Sequence, residues 1–260
     1  MRLAEHRRLR PGFELQVAAD GAAAEQAALL LLAELRRLQR PLGLATGRTM
    51  EPVYAALVAR LDGLPAAERH GLLAGWQSFN LDEYVGLGPR HPGSFAAFMG
   101  RHLVEPLGLD PARVRLPDGL AADPALEARR YAARVAAAGG IGLQLLGLGL
   151  NGHVGFNEPP CGPDAPCRCL ELSAATRRQN ATAFGGDPAA VPARAITLGL
   201  AEILAAERIL LVVTGAAKAP VLARLLQEPP SPELPASWLQ RHPAVTLVVD
   251  QAALGEGAPG

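Results

Sequence analysis

Short apolar runs alternate with amphipathic segments along most of the chain. Two weaker strand candidates lie at 13–19 and 113–117. Five further runs lack polar alternation, as strands buried on both faces of a sheet do: 42–46, 76–81, 143–150, 208–214 and 245–250. Helical periodicity separates these runs, at 21–39, 49–61, 94–105, 124–138 and 216–227. This order predicts an α/β fold of the Rossmann-like, doubly wound type, with a mostly parallel sheet and helices on both faces.

Residues 158–192 interrupt this alternation. The segment combines Pro, Gly, Cys and small polar residues with weak periodicity, which is typical of a mobile loop or lid. No internal repeat and no domain linker is visible along the chain. We therefore expect a single domain over residues 1–260, with residues 1–12 as an N-terminal extension and 158–192 as a lid segment.

The composition narrows the class of protein. Of the 260 residues 49% are hydrophobic and 19% are charged, so the chain is globular rather than disordered. The 25 basic and 25 acidic residues balance, which gives no electrostatic reason to expect nucleic acid or a membrane as a partner. Neither a signal peptide nor an apolar stretch that could span a bilayer is visible, so a cytoplasmic enzyme is expected.

The cysteine pattern argues against a disulfide framework and against a metal site. The chain has three Cys, an odd number. Cys161, Cys167 and Cys169 are accompanied neither by a fourth Cys nor by a ligand pair at a spacing usual for zinc. No metal is therefore predicted.

Polar clusters follow four of the predicted strands, at 47–49, 82–84, 151–153 and 215–218. Because ligands of such sheets bind beyond the carboxyl ends of the strands, we expect the four clusters to line one crevice. Lys218 is the only lysine among the 25 basic residues. A compact ammonium near a helix N-terminus suits a phosphate.

Each cluster also has an ordinary structural explanation. The stretch 46–49 could be a glycine turn with a Thr N-cap, and the acidic pair at 82–83 could be a solvated strand end. His153 could be a hydrogen-bonded structural histidine. The clusters gain specificity from their order along the chain.

Six sequence motifs, by their residues and their order along the chain, resemble the glucosamine-6-phosphate deaminase (isomerase) family over residues 13–250. The motifs are "LGLATGRT", "FNLDEYVGL", "HPGSF", "LLGLGLNGHVGFNEPP", "TLGLAEILAAERILLVVTGAAKA" and "SWLQRHP". The "DEYVGL" and "NGHVGFNEP" forms separate this family from the related 6-phosphogluconolactonases. The resemblance implies conversion of glucosamine 6-phosphate to fructose 6-phosphate and ammonia, with no metal or organic cofactor. The implied partner is a small-molecule sugar phosphate, and a homo-oligomer is left open.

The resemblance also implies catalytic roles for four residues. Asp82 matches the base that takes the C2 proton, and His153 matches the group that shuttles a proton during ring opening. Asn151 and Glu158 are placed around that histidine, where some family members have Asp at the first position. With Asn151 present, the pairing with the imidazole is expected to rest mainly on Glu158. Glu83 should point away from Asp82 if the segment is extended.

The phosphate side shows the departures from the family. The implied phosphate-binding residues are Thr46, Gly47, Arg48, Thr49 and Lys218, with backbone amides of the first four contacting phosphate oxygens. Thr182 stands where the family usually has an arginine, so one anion contact is missing. Arg48 lies in the phosphate loop where the family more often has Ser or Gly, and it is the candidate replacement.

Two other functions share this fold or this ligand class. One is hydrolysis of a phosphosugar lactone, against which Glu158 and the "GFNEP" form argue. The other is a non-catalytic sugar-phosphate sensor. No segment supplies a DNA-binding module, and the set Asp82, His153 and Glu158 would be unexpected in a pure sensor.

Overall fold

The computed structural model describes residues 6–8 (backbone only), 13–19, 21–37 and 39–255. The predicted extension, residues 1–12, therefore lies outside the described residues except for its short strand at 6–8. The described strands are β1 (His6–Arg8), β2 (Phe13–Ala18), β3 (Leu42–Leu44), β4 (Ser78–Asn80), β5 (Asp82–Tyr84), β6 (Val114–Arg115), β7 (Leu143–Gly147), β8 (Arg168–Glu171), β9 (Arg194–Thr197), β10 (Arg208–Val213) and β11 (Val245–Asp250).

Helices occupy most of the intervening chain. The described α-helices are α1 (Ala23–Arg37), α2 (Met50–Asp62), α3 (Ala66–Ala74), α4 (Phe95–Met99), α5 (Glu105–Leu107), α6 (Pro124–Ala137), α7 (Ala174–Asn180), α8 (Leu200–Leu204), α9 (Ala219–Gln227) and α10 (Gln251–Leu254). A π-helical stretch, Gly100–Val104, makes α4 and α5 one continuous helical segment. None of the described helices is both long and apolar enough to cross a bilayer.

The main sheet has the strand order β1-β2-β11-β10-β7-β3-β4-β6. In this order, the seven strands β2, β11, β10, β7, β3, β4 and β6 each run parallel to their neighbours in that set. In the described sheet only β1, at the edge, is antiparallel to its neighbour. The unalternated run of β10 is buried from Ile209 to Val213, which explains why it needs no polar positions. The predicted α/β fold with a mostly parallel sheet is confirmed.

A second sheet of three strands, in the order β5-β9-β8, was not predicted. The chain leaves the main sheet after β4, passes Leu81 and enters β5, where Asp82 lies opposite Thr197 in an antiparallel pair. Because β5 pairs outside the main sheet, its side chains reach a different surface from those of β4.

The lid segment, residues 158–192, is more regular than its sequence suggests. It contains β8 and α7, so its description as a loop is wrong for 168–171 and 174–180. Apolar side chains from this segment and from the second sheet, together with Phe156, form a small separate cluster: Tyr84, Phe156, Leu172, Ala181, Val191 and Ala195. The packing of this cluster explains how weakly periodic sequence acquires a defined position. Its mobility stays a prediction.

The sheet order positions the functional loops. Strands β10, β7, β3 and β4 are consecutive neighbours, and they all run in the same direction. The loops that follow them therefore leave from the same edge of the sheet, and the four polar clusters are brought together there.

Candidate active site

A cavity of about 470 Å³ lies at the carboxyl edge of the main sheet. That volume is within the range of small-molecule sites. Seven of the predicted site residues line it: Thr46, Gly47, Arg48, Thr49, Asp82, His153 and Lys218. The expectation that the strand ends line one crevice is therefore met. A smaller cavity of about 110 Å³, lined by Glu34, Arg40 and Gln77 among others, lies at the opposite edge of the sheet, away from these residues.

Asp82 presents an unusual carboxylate to this cavity. Its side chain is only 6% exposed, and no described residue donates a hydrogen bond to it. Burial and the neighbouring charge of Glu83 raise the pKa of Asp82 to about 8. A carboxyl group with such a pKa can hold or release a proton near neutral pH, as a general acid or base must.

Glu83 lies on the other side of the strand, as the extended conformation predicts. Its carboxylate accepts hydrogen bonds from the backbone amides of Tyr84 (2.9 Å), Phe95 (3.0 Å) and Ala96 (2.8 Å). Two of these amides belong to the first turn of α4, so Glu83 satisfies donors that the helix leaves free. Glu83 therefore has a structural role and Asp82 faces the site.

The His153 imidazole is fixed by the turn that follows β7. Its Nδ1 lies 2.6 Å from Oδ1 of Asn151. The ring lies against Gly149, where an added Cβ would come within 2.3 Å of ring atoms, so only glycine leaves it room. Burial lowers the pKa of His153 to about 4, against the opposing influence of the Glu158 carboxylate. The imidazole is therefore neutral at pH 7.

Glu158 lies outside the cavity lining and is held by the lid segment. Its carboxylate accepts hydrogen bonds from the Ser173 backbone amide (3.0 Å), the Ser173 hydroxyl (2.6 Å) and the Thr176 hydroxyl. Burial raises the pKa of Glu158, but these hydrogen bonds outweigh it and hold the pKa below its usual value. The geometry differs from the expected pairing: the imidazole is hydrogen-bonded to Oδ1 of Asn151, and Glu158 acts on it through its charge.

Lys218 forms the cationic wall of the cavity. It is half-buried at the start of α9, and no carboxylate among the described residues pairs with it. Burial lowers the pKa of Lys218, and the nearby Arg48 guanidinium lowers it further. The loop before Lys218 is held by Asp250, whose carboxylate accepts from the amide of Gly215 at 2.9 and 3.0 Å. Two neighbouring cations without a described counter-ion suit an anionic ligand.

The loop between β3 and α2 adds backbone donors to this wall. Gly47 has φ +104°, a conformation that favours glycine, and its carbonyl accepts from the amide of Met50 at 2.8 Å. Residues 46–49 thus turn directly into α2, a helix of 13 residues whose N-terminus faces the cavity. Helix N-termini of this kind favour anions.

Some residues of the cavity were not found by sequence reasoning. Arg101, from the π-helical stretch, and Gln179 and Asn180, from α7, line the wall together with Thr182. Asn180 also donates a hydrogen bond to the Tyr84 hydroxyl at 2.9 Å, which links the lid segment to β5. These residues lie in helical segments and not at the ends of strands, so a search for polar residues after strands does not find them. Only the rarity of Asn in this chain marks Asn180.

The site supplies proton-transfer groups and an anion-binding wall. A neutral imidazole and a carboxyl of raised pKa line the same cavity as a lysine that no described carboxylate pairs with. Within the described part of the chain, no group of three or more His, Cys, Asp or Glu side chains is placed to hold a metal ion. Such an arrangement is suited to acid–base chemistry on a small anionic substrate.

Comparison with known proteins agrees with this chemistry. Residues 15–248 match the family described as glucosamine-6-phosphate isomerases/6-phosphogluconolactonase. The chain is 42% identical over 242 residues to a glucosamine-6-phosphate deaminase of Rhodopirellula baltica, covering 92% of this chain and 94% of that protein. It is 40% identical over 233 residues to a glucosamine-6-phosphate deaminase of a Geobacillus species, with coverages of 88% and 90%.

Solved structures support the same grouping. A monomeric glucosamine-6-phosphate deaminase superimposes with a TM-score of 0.85 at 33% identity, covering 93% of this chain and 98% of the other. A 6-phosphogluconolactonase from Leishmania guyanensis gives a TM-score of 0.70 at 20% identity over 95% and 98% of the two chains, which shows a shared fold. The chain belongs to the glucosamine-6-phosphate isomerase/6-phosphogluconolactonase family.

Proposed function

We propose that the protein is a glucosamine-6-phosphate deaminase, which converts glucosamine 6-phosphate and water to fructose 6-phosphate and ammonia. The observation that carries the proposal is the meeting of Asp82, His153 and Lys218 in one cavity. Relatives named for this activity, at 42% and 40% identity over most of the chain, support it. Each of the three groups is assigned one role, either a chemical step or binding of the phosphate.

Ring opening is assigned to His153. Its neutral imidazole takes the proton of the anomeric hydroxyl, the bond between C1 and the ring oxygen breaks, and the imidazolium returns the proton to the ring oxygen. A group that is neutral at working pH can begin this cycle as a base. Ring opening leaves an aldehyde at C1, which makes the C2 proton acidic.

Isomerisation is assigned to Asp82. In its ionised form the carboxylate takes the C2 proton while a proton of the C2 ammonium passes to O1, which gives an enolamine. The carboxyl group then delivers its proton to C1, the C2–N bond becomes an iminium group, and water adds to C2 before ammonia leaves. The raised pKa of Asp82 suits both halves of this transfer. The Asp82 carboxylate is a stronger base than an exposed carboxylate, and the carboxyl group it becomes still has a pKa close enough to neutrality to give the proton to C1.

The phosphate is assigned to the cationic wall. Lys218 and the backbone amides of residues 46–49 contact the phosphate oxygens, as the helix N-terminus favours. Arg48 takes the place of the arginine that the family usually has at Thr182. Its support is position: Arg48 lines the same cavity and is near enough to Lys218 to lower that lysine's pKa.

The proposal extends to the lid segment, the compartment and the assembly. Residues 158–192 act as a lid over the sugar phosphate, since four cavity residues, 179, 180, 182 and 183, come from this segment. We also propose that the protein works in the cytoplasm as a single domain. The balance of 25 basic and 25 acidic residues supports the proposal that it has no nucleic-acid partner. One subunit contains every residue assigned to the chemistry, so a homo-oligomer would not be needed to complete the site.

A panel of three substrates tests the proposal. Purified protein is incubated with glucosamine 6-phosphate, with unphosphorylated glucosamine and with 6-phosphogluconolactone, and ammonia and acid release are followed. We expect ammonia from the first, at least about tenfold less from the second at equal concentration, and no acceleration of lactone hydrolysis. Lactone hydrolysis without ammonia release would assign the chain to the other activity of its family.

A further inference from the structure

Arg101 is a residue of the cavity to which the proposed chemistry assigns no role. It lies in the π-helical stretch Gly100–Val104, and its exposed side chain lines the cavity. Its one described hydrogen bond runs from Nη1 to the carbonyl of Pro92 at 3.5 Å, which is at the outer limit for such a bond. No carboxylate of the described residues lies within ion-pair distance of Arg101. The guanidinium is therefore available to an anionic ligand.

The packing of this helical segment places Arg101 beside the proposed phosphate site. Phe98, three residues before Arg101, also lines the cavity, and its ring meets the ring of Tyr54 edge-on with centroids 6.3 Å apart. Tyr54 belongs to the first turns of α2, and its hydroxyl donates a hydrogen bond to the carbonyl of Ala45, directly before the loop 46–49. The segment that carries Arg101 therefore packs against the N-terminal part of α2.

A second contact connects Arg101 with the lid segment. Pro92, whose carbonyl accepts from Arg101, is followed in the chain by Gly93. The ring of Phe184 lies so close to Gly93 that an added Cβ would come within 2.7 Å of it. Phe184 is two residues from Thr182, which lines the cavity from the lid segment. Arg101 therefore lies near the position, Thr182, at which the family usually has an arginine.

The charges of the cavity suit a further cationic contact to the ligand. The charged or titratable side chains that line it are Arg48, Glu51, Asp82, Tyr84, Arg101, His153 and Lys218. Burial lowers the pKa of Lys218 and the Arg48 guanidinium lowers it further, so these two cations are neighbours. A phosphate monoester has close to two negative charges near pH 7 and three acceptor oxygens, which several cations can contact from different sides. An arginine can bind two of these oxygens at once.

We propose that Arg101 is a further substrate-binding residue, which contacts the phosphate of the sugar from the side of the lid segment, in addition to Arg48 and Lys218. This inference rests on the sugar-phosphate substrate of the proposed function. When the ligand binds, the guanidinium exchanges its 3.5 Å contact with the Pro92 carbonyl for charge-assisted hydrogen bonds to phosphate oxygens. The lid segment then needs no arginine of its own at Thr182.

Binding to Arg101→Gln tests this contact without any catalytic assay. Glutamine keeps an NH₂ donor for the Pro92 carbonyl and removes the charge. Arg90→Gln is the matched control, since Arg90 is exposed and does not line the cavity. By calorimetry, Kd for the open-chain analogue 2-amino-2-deoxyglucitol 6-phosphate should rise about tenfold in Arg101→Gln and stay unchanged in Arg90→Gln. Inorganic phosphate, which carries no sugar, should displace the analogue from Arg101→Gln less effectively than from wild type.

Kinetics of the same variants separate phosphate binding from a structural role. With a thermal unfolding midpoint close to wild type, Arg101→Gln should raise KM for glucosamine 6-phosphate about tenfold and leave kcat within about twofold. Adding Thr182→Arg should recover most of this loss, because an arginine there lines the same cavity from the lid segment. If Arg101 only held the loop at Pro92, an arginine in another segment would not replace it.

The outcomes distinguish this inference from the proposed function. Values of Kd and KM in Arg101→Gln that equal those of Arg90→Gln, or a loss that Thr182→Arg leaves unchanged, would overturn the role of Arg101 even if ammonia is produced. Weaker displacement by inorganic phosphate in Arg101→Gln, in a protein that releases no ammonia from glucosamine 6-phosphate, would uphold the anion contact and overturn the proposed function.

Discussion

The carboxylates of Asp82 and Glu83, consecutive residues of β5, have opposite surroundings. Glu83 accepts three backbone hydrogen bonds, two of them from the first turn of α4, whereas no described residue donates one to Asp82. Two adjacent acids are therefore divided between structure and chemistry by the alternation of the strand. A buried carboxylate without a donor is costly when it is charged, and this cost can be measured.

Replacement of Asp82 by Asn should stabilise the protein without ligand. The folded pKa of Asp82 is raised to about 8 from an ordinary value of 3.8. Below the ordinary value the carboxyl is protonated in both states and costs nothing. Its destabilisation grows as the pH rises from there towards the folded pKa. Asp82→Asn should raise the free energy of unfolding by about 1–3 kcal/mol at pH 8, and by much less at pH 4.

Urea unfolding at the two pH values measures this difference, with Asp164→Asn as the control. Asp164 is exposed and no hydrogen bond to its carboxylate is described, so its replacement should change stability little at either pH. A loss of stability in Asp82→Asn at pH 8 would show that the carboxylate has a partner in the folded protein.

His153→Gln should impair the closed sugar far more than an open-chain ligand. If the imidazole acts only in ring opening, turnover of glucosamine 6-phosphate should fall by about 10²-fold, because one proton-transfer group is removed. Binding of 2-amino-2-deoxyglucitol 6-phosphate should hardly change. Equal losses in both, measured by steady-state kinetics and calorimetry, would indicate that His153 has a structural role.

Glu158→Gln should show a milder form of the same pattern. Glu158 influences His153 through its charge and is itself held by Ser173 and Thr176. An amide in its place removes the charge and loses one of these acceptor sites. We expect a fall in turnover of about tenfold or less, since no group is removed from the cavity itself. A fall as large as that of His153→Gln would place Glu158 in direct contact with the reacting atoms.

Arg48→Ser tests the replacement of the family's phosphate arginine. A charge-assisted contact to a phosphate is worth roughly 1.5–3 kcal/mol, so KM for glucosamine 6-phosphate should rise about tenfold or more. Adding Thr182→Arg should recover much of this loss, because Thr182 lines the same cavity. Arg90→Ser is the control, since Arg90 is exposed and does not line the cavity. An unchanged KM in Arg48→Ser would leave Lys218 and the backbone amides as the phosphate contacts.

Tyr84→Phe should loosen the lid segment without disturbing the small apolar cluster. The Tyr84 hydroxyl accepts a hydrogen bond from Asn180, while its ring packs against Phe95, Phe156 and Phe184. Loss of a partly buried hydrogen bond costs about 0.5–1.5 kcal/mol, so hydrogen exchange in α7 should accelerate roughly two- to tenfold. Exchange in α9 serves as the internal reference. Equal protection of α7 in both proteins would mean that the aromatic packing alone holds the lid.

The apolar pattern predicts the main sheet well because its strands are buried on both faces. The buried runs Ile209–Val213 of β10 and Leu247–Val249 of β11 need no polar positions, and the ends of such runs direct attention to the polar residues that follow. The three-residue strand β5 gives no such signal. It contains two acids, and it is a strand only because β9 pairs with it and α4 meets Glu83. Those partners are remote in sequence.

The site was predicted in the same uneven way. Asp82, His153 and Lys218 lie within six residues of the carboxyl ends of β4, β7 and β10, so the order of the strands brings them to the cavity. The partner of the imidazole depends on turn geometry, which brings Asn151 to Nδ1 while the lid segment holds Glu158. No pattern in the sequence reports such a distance.

The amount of ammonia and fructose 6-phosphate formed from glucosamine 6-phosphate, by wild-type protein and by Asp82→Asn, tests the central claim most directly. Both products should appear in equal amounts with the wild type. In Asp82→Asn both rates should fall together by about 10²-fold or more, because an amide cannot accept the C2 proton. Exchange of the C2 proton with deuterated solvent should be lost to the same extent. Absence of ammonia with the wild type, or full turnover by Asp82→Asn, would contradict the account.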